Sequence, residues 1–166
     1  MPVTTLVVMG VSGSGKTTVA RTLAERLARP YVEGDNLHPA ANIAKMRAGT
    51  PLDDVDRGPW LDRIADQVSD WEDAGISAVL TCSALKRAYR DRLRAGHESI
   101  FVVHVSVDAQ TLRKRLARRA DHYMPPSLLA SQLADLEPLG RDELGLTVDG
   151  GGTPSDVIEQ VIASLA

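Results

Sequence analysis

The sequence predicts an α/β fold, a central parallel sheet of about five strands with helices on both faces. Its apolar runs are continuous rather than alternating, as strands buried on both sides require. These runs alternate in order with segments of helical period, which is the pattern of a parallel sheet with crossover helices. The length, 166 residues, fits a single domain over 1–166, and 43% hydrophobic with 25% charged residues is an ordinary globular balance. Aromatic residues make up 4% of the chain, so the core is expected to be mainly aliphatic.

The elements follow in order. TLVVM (5–9) reads as a buried strand, and VARTLAERLA carries Val19, Ala20, Leu23 and Leu27 at helical spacing until Pro30 stops it. A short strand, YVE, runs into GDNLHP, and Pro39 opens a helix ending near Gly49. PWLDRIADQVSDWEDAG places Trp60, Ile64, Val68 and Trp71 on one helix face before Gly75. ISAVLTC is a third strand, followed by the basic helix KRAYRDRLRAG. IFVVHVSV is a fourth strand, with Asp108 capping AQTLRKRLARR. HYMPPS breaks that helix before LLASQLADL, and LGLTVD reads as a weaker fifth strand. Thr153, Pro154 and Asp156 stand in capping-box order at the start of the last helix.

Composition removes several function classes. A net charge of −3 and few aromatics offer no tract for binding nucleic acid. Cys82 is the only cysteine, which excludes an internal disulfide and a cysteine-based zinc cluster. The N-terminal apolar run is too short for a signal or membrane segment, so a cytoplasmic protein with no membrane partner is expected.

The first chemistry-bearing motif is GVSGSGKTT, Gly10 to Thr18. Gly10 to Thr17 match G-x-x-x-x-G-K-[ST] without a mismatch, between a strand and a helix as the mechanism demands. The glycines let successive backbone N–H groups converge on phosphate oxygens, and the helix adds its positive end. Gly10, Ser12, Gly13, Ser14, Gly15, Lys16, Thr17 and Thr18 form the expected nucleotide-binding set. Lys16 would reach the β- and γ-phosphates of ATP, and the Thr17 hydroxyl would ligate Mg²⁺.

The remaining blocks favour phosphoryl transfer to a bound acceptor. A guanine-recognition NKxD is absent, and ISAVL ends in TCSALK with no carboxylate of the motor-ATPase kind. EGDNLH places Glu33, Asp35 and His38 at the carboxyl end of the second strand, on the sheet edge where α/β proteins bind ligands. Asp35 can orient or deprotonate a hydroxyl, and Glu33 can hold Mg²⁺ through water. Lys86 and Arg90 are four apart and share a helix face, from which they would clamp an anionic acceptor or the phosphate in flight. Arg115 and Arg119 are also four apart, and a closing lid over about 115–135 would bring both onto the nucleotide.

Together MGVSGSGKTT, EGDNLHPAANIAKMRAGTPLDDVDRGPWL, CSALKRAYRDRLR and HYMPPSLLASQLADLE resemble the gluconokinases, P-loop small-molecule kinases related in fold to shikimate and adenylate kinases. The resemblance runs in order from about residue 5 to residue 138. It implies a P-loop kinase fold with a mobile lid, and phosphorylation of D-gluconate at its 6-hydroxyl by MgATP to give 6-phosphogluconate. It places Asp35 at the acceptor hydroxyl with His38 beside it. It makes Arg57 a substrate-binding arginine, suited to a carboxylate by its two-pronged guanidinium. Lys86 and Arg90 become acceptor-side cations, and Arg115 the lid-helix arginine that stacks on adenine. Arg119 becomes the one that reaches the phosphates, and His122 begins the lid loop on the substrate side. Trp60 is expected in the core, with Asp53, Asp54 and Asp56 capping and orienting the DDVDRGPWL segment before the helical run that starts at Pro59. A homodimer is suggested by the resemblance alone. The alternatives are a kinase of another small hydroxy acid such as shikimate, or a nucleotide-binding regulatory module without transfer.

Overall fold

The computed structural model describes residues 2–118 and 126–165. Within these residues five strands, β1 (Thr5–Met9), β2 (Tyr31–Glu33), β3 (Ala78–Thr81), β4 (Ile100–Ser106) and β5 (Gly145–Asp149), form one sheet in the order β2-β3-β1-β4-β5. Every neighbouring pair is parallel, with Val7 level with Leu80 on one side and Val102 on the other. Among the described residues seven helices connect and flank the strands: α1 (Lys16–Arg26), α2 (Ala40–Arg47), α3 (Asp54–Ala74), α4 (Arg87–Arg94), α5 (Ala109–Ala117), α6 (Pro126–Asp135) and α7 (Pro154–Leu165). A single 3₁₀ turn (Gly34–Leu37) follows β2.

The two faces of β1 explain the layers. Leu6 and Val8 point to one side, onto Val19 and Leu23 of α1 and Val157 and Val161 of α7. Val7 and Met9 point to the other, onto Trp60, Ile64 and Val68 of α3. Both sets are fully or almost fully buried, which is why the strand shows no alternation in sequence. A third, smaller cluster joins Val11 and Leu85 to Leu112 of α5 and Leu129 of α6, and seats those two helices over the carboxyl end of the sheet.

One boundary differs from expectation. The long third helix begins at Asp54, five residues before Pro59. Asp53 and Asp56 form a reciprocal capping box (Asp56 N–H to Asp53 Oδ1 2.7 Å, Asp53 N–H to Asp56 Oδ2 3.0 Å), which anchors the start more strongly than Pro59 disrupts it. Asp108 and Thr153 cap their helices as expected, accepting from Thr111 N–H at 2.8 Å and Asp156 N–H at 3.2 Å. Among the described residues no helix is long and apolar enough to cross a membrane.

Candidate active site

The loop after β1 wraps into the start of α1. Gly15 precedes the helix at φ 90°, a left-handed conformation that side-chain-bearing residues resist, and no side chain caps the helix. Its leading N–H groups are therefore available to an anion. Lys16 is 8% exposed. The Thr17 hydroxyl donates to Glu33 Oε2 at 3.1 Å, and the Tyr31 hydroxyl donates to the same oxygen. Burial first, and then the Glu33 carboxylate, push the Tyr31 phenol up to about 12, so it remains a donor. Glu33 is thus held against Thr17. The two oxygens are a hard donor pair that fits a Mg²⁺ ion and its waters.

Three cavities meet at this loop. The largest, about 420 Å³, runs along Gly13 to Thr18 and ends at Glu33 and Asp35. A second, about 390 Å³, shares Ser12, Lys16 and Asp35 with the first and extends to His38, Arg57 and Trp60. A third, about 310 Å³, lies on the far side of Gly13 to Thr18, between Arg115 and the residues Gly150 to Val157 that lead into α7. The arrangement is a phosphate groove with one chamber at each end, and Lys16 and Asp35 stand where the groove opens into the second chamber.

That second chamber is built by the segment after β2. Gly34 allows β2 to lie against β3, because a Cβ there would fall 1.9 Å from the Thr81 carbonyl oxygen. Gly34 N–H donates to Thr81 Oγ1 at 3.0 Å, and its carbonyl accepts from Trp60 Nε1 at 2.8 Å. Asp35, next in the chain, is exposed to the cavities. Trp60 is 1% exposed, as a core residue should be, yet its ring also borders the chamber and stacks on His38, with centroids 4.1 Å apart. Arg57 reaches the chamber from α3. Its Nη1 donates to the Tyr89 hydroxyl at 2.8 Å and pairs with Asp135 of α6 at 3.4 Å. Lys86 stands behind it, 3.2 Å from Asp54 and 3.9 Å from the same Asp135.

Arg90 corrects the sequence reading. Its side chain is fully buried, with Nε and Nη2 donating to Glu143 (2.7 and 3.0 Å), Nη1 to the carbonyls of Ala84 and Leu85, and Nη2 also to that of Pro138. Lys86 stands before α4 on extended backbone and stays partly exposed, so the two cations share no helix face, and Arg90 points inward. The guanidinium holds the loop after β3 in place, including Ala84 at φ 40°, and has no branch free for an acceptor. Burial alone would raise the Glu143 carboxyl; the Arg90 and Arg94 guanidiniums and the Gly140 N–H outweigh it and bring it down to about 2. Arg94 also donates to Glu143, at 2.8 Å.

Arg115 lies against the loop, donating to the carbonyls of Gly13 and Ser14 (both 3.3 Å) and of Gly150 (2.7 Å). It thereby forms one wall of the third cavity. Arg119 and His122 lie outside the described residues. Sequence reasoning missed Gln132 of α6, whose Oε1 accepts the Ser12 N–H at 2.8 Å, and Asn42 of α2, which touches His38. Gln132 is a lone amide within an apolar helix and carries little signal. Asn42 lies four residues beyond His38, a helical spacing that points to contact.

Comparison with known proteins places this architecture. Residues 6–139 match the model of the AAA domain family. A protein of Gluconobacter oxydans (strain 621H) named gluconokinase is 53% identical over 157 residues, 95% of this chain and 88% of its own length. The chain belongs to the gluconokinase family. A sugar kinase from Janibacter sp. HTCC2649, solved without ligand, superposes with a TM-score of 0.95 at 46% identity, covering 99% of this chain and 95% of that one. A gluconokinase from Sinorhizobium meliloti 1021 gives 0.86 at 39% identity, covering 98% and 91%. The blocks by which the sequence resembles the gluconokinases lie far apart in the chain, and the fold gathers them around the phosphate groove and its second chamber. The P-loop kinase fold is thus the fold of this gluconokinase-family chain.

Proposed function

We propose that the protein transfers the γ-phosphoryl group of ATP to the 6-hydroxyl of D-gluconate, giving 6-phosphogluconate and ADP. The observation that carries this reading is the junction between the phosphate groove and the second chamber. There Asp35 and Lys16 face both spaces, while Arg57 stands in the chamber as a partner for a carboxylate. The names of the relatives point to the same acceptor.

In this scheme the adenine end of ATP occupies the third cavity, beside Arg115 and the loop from Gly150. The N–H groups of Ser12 to Thr18 and the Lys16 ammonium hold the phosphates and spread the charge that develops on the transferring group. Thr17 and Glu33 would hold Mg²⁺, which when bound offsets charge on the phosphate oxygens. Asp35 orients the primary hydroxyl in line with the γ-phosphorus. It takes the hydroxyl proton as the new O–P bond forms and the bond to the ADP oxygen breaks. Arg57 binds the acid's carboxylate at the other end of the chamber, with Lys86 adding positive charge from behind. Arg119 completes the cage around the phosphates, and closure of the 115–135 lid excludes water as a competing acceptor. The reaction takes place in the cytoplasm, where ATP and the sugar acid are both available.

The test is coupled ADP release with MgATP in the presence of D-gluconate, shikimate, a panel of other sugar acids, or no acceptor. Selective turnover with D-gluconate is expected. Turnover with another acid would keep the kinase mechanism and overturn the acceptor. ATP binding without acceptor-dependent ADP release would overturn the kinase reading.

A further inference from the structure

His38 and Asn42 are 7% and 3% exposed and meet at the base of the second chamber. Asn42 Nδ2 is 2.8 Å from the carbonyl oxygen of Asp56 and 3.2 Å from His38 Nδ1. A backbone carbonyl can only accept, so the NH₂ end of the amide must be the end that faces Asp56. That bond uses one N–H and directs the other at His38. Nδ1 must then carry a lone pair, and the neutral ring must carry its proton on Nε2. Trp60 stacks on the ring at an interplanar angle of 15° and fixes its plane. The Asp53–Asp56 capping box and the Lys45–Asp56 pair at 2.7 Å hold the carbonyl-bearing residue in place from the other side.

We infer that Asn42 is a positioning residue that holds His38 as a neutral Nε2–H donor for an oxygen of the bound sugar acid. The inference rests on the proposed acceptor site and adds a fixed direction to it: the acid must present an acceptor atom to His38 while Arg57 takes the carboxylate. The surroundings keep the ring neutral. Burial lowers its pKa below the usual 6.5; Asp35, on its own turn, opposes this, and Arg57 from α3 adds to it. Lys16 from the phosphate loop and Arg47 from α2 border the same chamber and bring further positive charge. Protonation would also put a hydrogen on Nδ1, against the Asn42 N–H. Because the folded state favours the neutral ring, the donor is expected to be unchanged from about pH 6.5 upward.

Long-range ¹H–¹⁵N spectra of the labelled full-length protein read the tautomer directly, with His38 assigned by loss of its signals in His38→Gln. A neutral ring protonated at Nε2 at pH 7 is expected. A proton on Nδ1, or an imidazolium persisting at pH 7, would overturn the inference. Kinetics supply the second arm. His38→Leu removes the donor and is expected to raise the KM for D-gluconate roughly tenfold or more, with the KM for ATP little changed. His38→Gln, which restores an N–H₂ near the Nε2 position, should recover a large part of that loss. Equal impairment of both variants, or none in either, would overturn the donor role. In Asn42→Asp the new carboxylate accepts from Nδ1–H, so the KM for D-gluconate should rise with pH as the ring loses its second proton, where the wild type stays flat. If the wild-type protein turns over no D-gluconate, the function reading falls, and the tautomer still decides whether Asn42 sets the ring.

Discussion

Lys16 borders both the phosphate groove and the second chamber, so one substitution tests the proposed connection between them. Lys16→Ala should lower kcat by roughly a hundredfold or more, the size of effect seen when a charge-stabilising donor is removed, and full activity would exclude the proposed chemistry. Arg57→Ala should act mainly on the acceptor, raising the KM for D-gluconate ~10- to 100-fold, as loss of a charged hydrogen bond predicts. Steady-state kinetics with each substrate varied in turn separate the two. Residues whose meaning is local were legible in the sequence. Lys16 and Thr17 stand in a motif of eight positions, and Asp108 caps the helix it precedes. Arg90 was not legible, because its destination is Glu143, more than fifty residues away and brought near only by the fold. Tyr31 was missed for a related reason: a tyrosine beginning a three-residue strand looks like packing until Glu33 is seen to receive its hydroxyl.

At the level of elements, the sequence pattern placed strands and helices well and erred where two local signals competed. At the start of α3 the proline pointed to a later beginning, and the capping box prevailed because it satisfies two N–H groups while the proline sacrifices one bond. The loop after β3 depends on a tie across elements, from Arg90 on α4 to Glu143 just before β5. Glu143→Ala would strand a fully buried guanidinium and should cost ~3–5 kcal/mol of stability, measurable as a lower midpoint in urea. The same tie carries an acid signature. The Glu143 carboxyl falls from 4.5 to about 2 in the folded protein, so its contribution is complete above about pH 4.5 and is lost as pH falls toward 2. Glu143→Gln should therefore flatten the fall in stability across that window. An unchanged profile would mean that other carboxylates set the acid limit.

Across the whole molecule, the alternation of strands and helices made the parallel sheet readable, but not the strand order, which is decided by which edges meet. That order sets β1 between β3 and β4, and so brings the phosphate loop beside the segments that follow β2 and β3. It also leaves α6 touching both halves of the site at once. Gln132 takes the Ser12 N–H, and Asp135, on the same helix, pairs with Arg57. On the proposed function these two side chains would act as stand-ins for the substrates, the Gln132 amide oxygen for a phosphate oxygen and the Asp135 carboxylate for that of the acid. Each substrate would then enter by exchange, and because both stand-ins belong to α6, whichever binds first would do most of the work of moving it. The two substrates should then bind with positive cooperativity, each lowering the other's Kd by the same factor. Calorimetric titration of D-gluconate with and without a non-hydrolysable ATP analogue measures that factor. Asp135→Asn, which weakens one stand-in, should tighten binding of the acid alone and shrink the coupling.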